Sequence, residues 1–484
     1  MKTSQILKLL RSSAKTLHTL LGGLILLAIF TFLILNLDFQ SYWIDELWAA
    51  RVSDPSLSWG ETWQHIVSDA HPPLYQILLK VWYSITGWTS TSGRLLSLLF
   101  AILATFGFYR LCRVDRNRSD SLLATALFAL SWPIMYFALE TRSYALLAAL
   151  SCWALYIVKR ILAGEYNHFH GLALIFLTTC GLYTHYFYFI FAFSMGLFFL
   201  VELIFGAETD LDQEVGLKIL GALLGAVLLF APWIFIIINQ IDSGSGNWIK
   251  RPSDLELFTD LLILFGGYVP LIALLALVFF SVNAAFQQGQ LTGFNRLCVF
   301  SSFMTLALVY LISLAVTPIL THKPIIIIVP GVLYLATLLI NSTAHQAGDE
   351  LSYQGNSSKT LIFGLFAVVL LTVPYETDNF SVQKKQDWRA AVAKAIEISN
   401  GGALYTNRPH DVGVYLTWYA SNNAVLRGEP SDKTEAFIYI AGHTSVRLKG
   451  TYCVLENHQY RRVRVSRLEH KSDQACTVYN GAIR

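Results

Sequence analysis

The chain has 484 residues, 54% of them hydrophobic and only 14% charged, against roughly 25% charged in soluble proteins. A mean hydropathy of +0.50 makes it an integral membrane protein. The formal net charge of +3 is spread along the chain rather than gathered in one basic face, which excludes a nucleic-acid surface.

The apolar residues come in long unbroken runs instead of alternating short strands, so each span is a helix that closes its own backbone hydrogen bonds in lipid. A barrel is excluded. About 20 apolar residues cross a bilayer core of about 30 Å. That ruler predicts spans at Leu20–Leu37, Leu95–Leu111, Leu122–Tyr136, Tyr144–Val158, Leu172–Tyr183, Tyr186–Leu203, Leu217–Ile238, Leu261–Val282, Leu297–Val316, Ile325–Ile340 and Leu361–Val373, about eleven crossings.

The basic residues set the orientation. Lys2, Lys8, Arg11 and Lys15 precede the first span, Arg110, Arg113, Arg116 and Arg118 follow the second, and Lys159 and Arg160 follow the fourth. All three clusters fall on one side, which places the N-terminus in the cytoplasm of a cell whose inner (plasma) membrane holds the chain. The first span carries no small-residue cleavage site and reads as a retained anchor.

The first external loop, Asp38 to about Gly93, is rich in tryptophan (Trp43, Trp48, Trp59, Trp63, Trp82, Trp88). Tryptophan suits surfaces that are apolar on one side and wet on the other, so short helices flat on the membrane are expected here. An odd number of crossings then puts everything after Pro374 outside. The expected division is a membrane domain over 1–374 and an external α/β domain over 375–484, in which Asp387-Trp388-Arg389 opens an amphipathic helix. Ala403-Leu404-Tyr405 and Ala436–Ile440 read as buried strands, and Arg462–Val465 alternates like an edge strand. Cys112, Cys152, Cys180 and Cys298 read as small buried hydrophobes. Cys453 and Cys476, in the polar tail, fit either a disulfide or two thiols.

Two adjacent carboxylates, Asp45 and Glu46, stand just after the first span, where holding charge near hydrocarbon is costly. External cations beside spans are unusual, and several converge on the same expected face: Arg142 in Glu140-Thr141-Arg142-Ser143-Tyr144, Lys250 and Arg251 before the eighth span, and His322 and Lys323 before the tenth. Carboxylates, histidines and cations on one face suit a phosphate-bearing lipid substrate. The bland readings stand beside this: His71 before Pro72-Pro73 as a helix-start residue, Arg142 snorkelling to headgroups and Arg94 snorkelling or packing, His185 as a structural histidine, and Lys250 and Arg251 as lipid contacts.

These motifs also carry a resemblance. Asp45-Glu46, His71-Pro72-Pro73-Leu74-Tyr75, Gly93-Arg94-Leu95-Leu96, Arg142–Leu146 and Thr184-His185-Tyr186-Phe187 resemble the bacterial glycosyltransferases related to protein O-mannosyltransferases and aminoarabinose transferases. The resemblance implies an all-α polytopic membrane protein of GT-C type that uses a polyprenyl-phosphate sugar donor, with Asp387-Trp388-Arg389 similar to the start of the family's external domains. One departure is visible: Lys323-Pro324 stands where many relatives resemble Arg-Tyr, keeping the charge but losing the bidentate fork.

The chemistry follows from the donor. A polyprenyl phosphate leaves as an anion, so it needs cations rather than a proton donor, and one base to take the acceptor proton suffices. Asp45 is the expected base for an inverting displacement, Glu46 orients the loop or the acceptor, and Glu140 supports the carboxylate or binds a sugar hydroxyl. Donor contacts are expected from His71, Arg142, Tyr144, His185, Lys250, Arg251, His322 and Lys323. The acceptor class is an envelope glycan, a lipid or a protein. No ligand spacing supports a metal, and no Gly-rich loop supports a nucleotide, so no cofactor is assigned and a divalent metal stays open. Two rivals share the composition: a flippase of lipid-linked sugars without bond chemistry, expected to keep charges near the midplane, and a scaffold whose external domain binds partners.

Overall fold

A computed structural model of the chain describes residues 3–206, 211–242, 249–340, 364, 385–406, 409–419, 426–427, 436–442, 448, 451–460, 463–470 and 476–479. The chain divides into two compact units: 1–35 with 52–377, and 36–51 with 378–484. The segment Asn36–Arg51, between the first two long helices, thus groups with the C-terminal unit.

In the first unit, hydropathy decides where helices form and glycine decides how closely they pack. The first helix is α1 (Thr3–Leu35), followed by three short helices, α3 (Trp59–Ser68), α4 (Leu74–Thr86) and, in the other unit, α2 (Ile44–Val52). Ser58 and Glu61 cap α3 reciprocally. The core helices are α5 (Ser90–Arg113), α6 (Arg118–Leu130), α7 (Trp132–Ala138), α8 (Tyr144–Leu162), α9 (His168–Leu182), α10 (Phe187–Phe205), α11 (Gln213–Phe230), α12 (Ile234–Asp242), α13 (Glu256–Phe265), α14 (Tyr268–Gln287), α15 (Gly293–Ala315) and α16 (Val329–Ala336). Helix α8 is the most enclosed, with 83% of its apolar window buried. It lies against α5 at Gly107, where an added Cβ would stand 2.9 Å from Trp153 Nε1 and 3.2 Å from Cys152 Cβ.

Among the described residues, six helices are long and apolar enough to cross a membrane, and the pair α6 and α7, bent by 61°, makes a seventh. Three shorter apolar helices, Thr19–Leu35, His168–Leu182 and Pro324–Ile340, accompany them. Each sequence-read span before residue 341 overlaps one of these helices. The expected last span, Leu361–Val373, lies outside the described residues apart from Gly364. Two boundaries are corrected. Leu261–Val282 is not one helix: Gly266 and Gly267 take φ of 85° and 128°, ending α13 and starting α14. Leu122–Tyr136 is broken where Ser131 turns extended and Pro133 opens α7.

The ends of these helices can be matched. Asp115, just after α5, meets Lys159 of α8 at 2.7 Å and accepts a 2.7 Å hydrogen bond from the Tyr334 hydroxyl of α16. Lys159 also donates to Tyr334 at 2.8 Å, and Arg116 donates to Thr337 at 2.9 Å. The C-terminal ends of α5 and α8 therefore share a level, which requires the bent α6–α7 pair between them to cross once. Arg116 and Lys159, read from the sequence as loop charges, are 3% and 6% exposed and belong to this buried polar knot.

The second unit is α/β, as expected. Its five-stranded sheet runs in the order β2-β1-β3-β5-β4, with β1 (Leu404–Tyr405), β2 (Leu426–Arg427), β3 (Ala436–Gly442), β4 (Tyr452–Tyr460) and β5 (Val463–His470). β1 runs parallel to β2 and β3, and β5 is antiparallel to both β3 and β4. The expected edge strand at Arg462–Val465 is corrected: its described part opens β5, which is internal. Both of its faces contribute buried residues, Val463 and Val465 on one and Ser466 and Leu468 on the other, while Arg467 and Glu469 are exposed. Helix α17 (Trp388–Ser399) starts at the expected place, with the Asp387 side chain accepting from Ala390 N–H. Trp388 stacks on Tyr415 of α18 (Pro409–Tyr419) with ring centroids 3.9 Å apart. Cys453 and Cys476 are joined as a disulfide.

Candidate functional site

Each unit carries part of the sequence-read constellation. In the membrane unit the decisive piece is the short connection between α7 and α8. Its backbone folds on itself, Arg142 N–H donating to Glu140 carbonyl at 2.7 Å, so Glu140 and Arg142 both stay inside, 1% and 6% exposed. An arginine that snorkels to headgroups keeps its fork in the wet layer. Arg142 does not: its Nη2 lies 3.3 Å from His71 Nε2, and its guanidinium sits 5.8 Å from the Tyr144 ring centre. Arg94, 1% exposed, is likewise packed inside.

His71 is held by its neighbours. Its Nδ1 lies 3.4 Å from Asp69 Oδ2, and its ring meets His185 edge-on with centroids 5.5 Å apart. It does not cap α4; Pro73 occupies that position without a side-chain hydrogen bond. The loop stands beside the α9 end because Leu74 N–H donates to Tyr183 carbonyl at 2.9 Å. Gln240 of α12 ties in from the side, donating to Val67 carbonyl at 3.3 Å and accepting from Tyr186 hydroxyl at 2.5 Å.

Electrostatics fixes the protonation of two members. Burial opposes the charge on Asp69, but His71 and Arg142 outweigh it and hold the carboxyl below the ordinary carboxylate range. Burial, with the Arg142 charge adding to it, pushes His185 well below the ordinary histidine value. His185 Nδ1 accepts from Phe187 N–H at 3.2 Å, so the neutral ring carries its proton on Nε2. The turn that places it depends on Gly181, where an added Cβ would lie 2.3 Å from the Tyr188 ring.

The structure thus brings together His71, Arg142, Tyr144 and His185 and adds Asp69, which the sequence reading passed over. Glu140 is in the same turn as Arg142. The remaining predicted residues are placed elsewhere on the chain. Lys250 and Arg251 are exposed in the stretch before α13. His322 is 3.7 Å from Asp260 and borders a cavity of about 370 Å³ whose other lining residues include Trp132, Tyr136, Phe137 and Leu264. Lys323 heads the short 3₁₀ helix Pro324–Ile328. Among the described residues, no three His, Cys, Asp or Glu side chains converge as a metal site.

In the second unit, Asp45 and Glu46 occupy the first turn of α2, where helix N–H groups favour negative charge. They diverge. Asp45 is partly exposed, whereas the Glu46 side chain is fully buried and accepts a 2.7 Å hydrogen bond from Lys385 Nζ. The same segment is fastened by Arg389, whose fork grips Asp38 at 3.0 and 2.8 Å, and by Tyr42, which stacks on Trp418 and donates its N–H to Tyr419 hydroxyl at 2.8 Å.

A family model for dolichyl-phosphate-mannose-protein mannosyltransferases matches residues 70–236, the stretch that holds His71, Glu140, Arg142 and His185. The fold agrees. ArnT from Cupriavidus metallidurans superposes with a TM-score of 0.61 at 13% identity, covering 94% of this chain and 98% of that one. The same protein bound to undecaprenyl phosphate gives 0.57 at 12% identity, over 92% and 97%. The chain shares the fold of ArnT. The archaeal oligosaccharyltransferase AglB from Archaeoglobus fulgidus, solved with an inhibitory peptide and a dolichol-phosphate, reaches 0.50 at 12% identity, over 88% of this chain and 62% of AglB. A comparison with curated proteins gives no match.

Proposed function

We propose that the chain is a glycosyltransferase that moves a sugar from a polyprenyl-phosphate donor to an envelope glycan, lipid or protein acceptor outside the cytoplasm. The observation that carries the reading is Arg142: a guanidinium 6% exposed, braced by His71 at 3.3 Å, inside the stretch that matches the family model. A buried fork of this kind is suited to a phosphate, whose charge it replaces for water. His71, Tyr144 and His185 frame the same spot. Lys323, His322, Lys250 and Arg251 supply further positive or hydrogen-bonding groups for the phosphate and headgroups. The largely apolar cavity beside His322 suits an isoprenoid segment, each CH₂ of which gains about 0.8 kcal/mol on leaving water.

Asp45 is the base in this reading, with in-line attack inverting the anomeric centre. Glu46 is buried against Lys385, whereas Asp45 is partly exposed, which supports Asp45 over Glu46 as the base. Glu140 supports the Arg142 turn or a sugar hydroxyl. The cytoplasmic N-terminus, the inner (plasma) membrane and the external C-terminal unit complete the proposal; the Cys453–Cys476 disulfide supports an oxidising compartment for that unit.

The test is transfer of label from radiolabelled undecaprenyl-phosphate sugars in membranes, comparing wild type with Asp45→Asn. Loss of the base is expected to lower turnover by about 100-fold or more. Equal turnover removes Asp45 from the mechanism, and no transfer by wild type across a sugar panel removes the donor class.

A further inference from the structure

Three contacts form a chain behind Arg142. Asp69 Oδ1 accepts from Ala70 N–H at 2.8 Å, which pins the carboxylate. Its other oxygen faces His71 Nδ1 at 3.4 Å, and His71 Nε2 faces Arg142 Nη2 at 3.3 Å. A guanidinium only donates, so Nε2 must be the acceptor and the neutral ring must carry its proton on Nδ1, toward Asp69. That puts the Nδ1 proton on the side of the Asp69 carboxylate, whose charge at 3.4 Å favours this tautomer.

We propose that Asp69 is a positioning residue for the donor phosphate: by holding His71 in the Nδ1–H tautomer it makes Nε2 the acceptor that aims the Arg142 fork. This rests on Arg142 being the phosphate ligand. The depressed carboxyl of Asp69 agrees, because the anion is the form that attracts an N–H.

The arrangement needs two acceptors on one side chain, one for Ala70 N–H and one for His71 Nδ1–H. Asparagine has the same shape but only one acceptor. If its oxygen keeps Ala70, its NH₂ faces Nδ1 and favours the opposite tautomer, which puts an N–H against the guanidinium. A packing role for Asp69 predicts that Asp69→Asn is mild and Asp69→Ala is worse. The tautomer role predicts that the two are equally harmful to phosphate binding.

The experiment uses the full chain purified in detergent and undecaprenyl phosphate as the probe, with ligand-free melting temperature measured alongside. Asp69→Asn and Asp69→Ala are each expected to weaken binding about tenfold, the usual scale for losing one partner in a buried polar network, while Asp69→Asn leaves the ligand-free melting temperature near the wild-type value. In a His71→Ala background the Asp69→Asn change should add nothing, since the two act through one contact. Wild-type affinity in Asp69→Asn, or a full additional loss in the His71→Ala background, overturns the role of Asp69 while leaving the donor reading intact. Failure of wild type to bind the probe overturns the Arg142 reading and this inference together.

Discussion

His185 shows how one side chain couples the fold to pH. Its folded-state proton affinity is depressed by burial and by the neighbouring Arg142 charge, and Nδ1 is already engaged by Phe187 N–H. Below the ordinary value of 6.5 the unfolded chain takes up a proton that the folded chain refuses, so stability falls as pH falls through that window. Full separation of the two states costs about 1.4 kcal/mol per pH unit. Melting temperature in detergent should drop between pH 7 and pH 5, and His185→Gln should flatten that drop. Asp69 acts lower on the scale: its stabilising charge is lost only as pH falls below the ordinary carboxylate range. Residues of this cluster were legible in unequal measure. His71 and Arg142 stand in recognisable strings, whereas Asp69 sits in a polar loop where nothing in the spacing marks it, and only the tertiary contact gives it meaning.

At the scale of elements, hydropathy located the helices but could not see breaks that cost little in apolar content. The turn at Gly266-Gly267 keeps the run apolar while ending a helix, and the adjacent glycines were the available signal. The edge reading of β5 failed for a different reason: alternation over four residues says nothing about position in a sheet. Element α2 is held by the Glu46–Lys385 pair, whose side chains are 0% and 9% exposed. Removing one partner of such a pair leaves a buried charge, a loss of about 3 kcal/mol, whereas replacing both with apolar groups is far milder. Glu46→Met and Lys385→Met should each lower the thermal midpoint, and the double variant should recover much of the loss. Additive losses in that cycle would mean that the two side chains stabilise the unit independently.

For the whole molecule, the division into a helical membrane unit and a smaller α/β unit was readable from composition, since polar residues and short alternating runs return after Pro374. The membership of Asn36–Arg51 in the second unit was not, because no local pattern announces a partner hundreds of residues away. The Cys453–Cys476 bridge closes a sequence separation of 23 residues around β4 and the 476–479 segment, and loop-closure entropy of that size stabilises by about 3 kcal/mol. Replacing both with serine in the full chain should hasten proteolysis of the C-terminal unit while leaving cleavage of the membrane unit unchanged. Faster cleavage throughout would mean that the two units unfold together.

Glu46 and Lys385 are 339 residues apart. At a synthesis rate of about 10 residues per second, the carboxylate leaves the ribosome roughly half a minute before its cation exists. The Glu46 carboxylate is therefore made long before this counter-charge, and the pair that holds α2 closes only after Lys385 is synthesised. A nascent chain arrested before Lys385 would already own its first helix and its buried arginine, yet it would still lack the clasp that fixes the opening carboxylates.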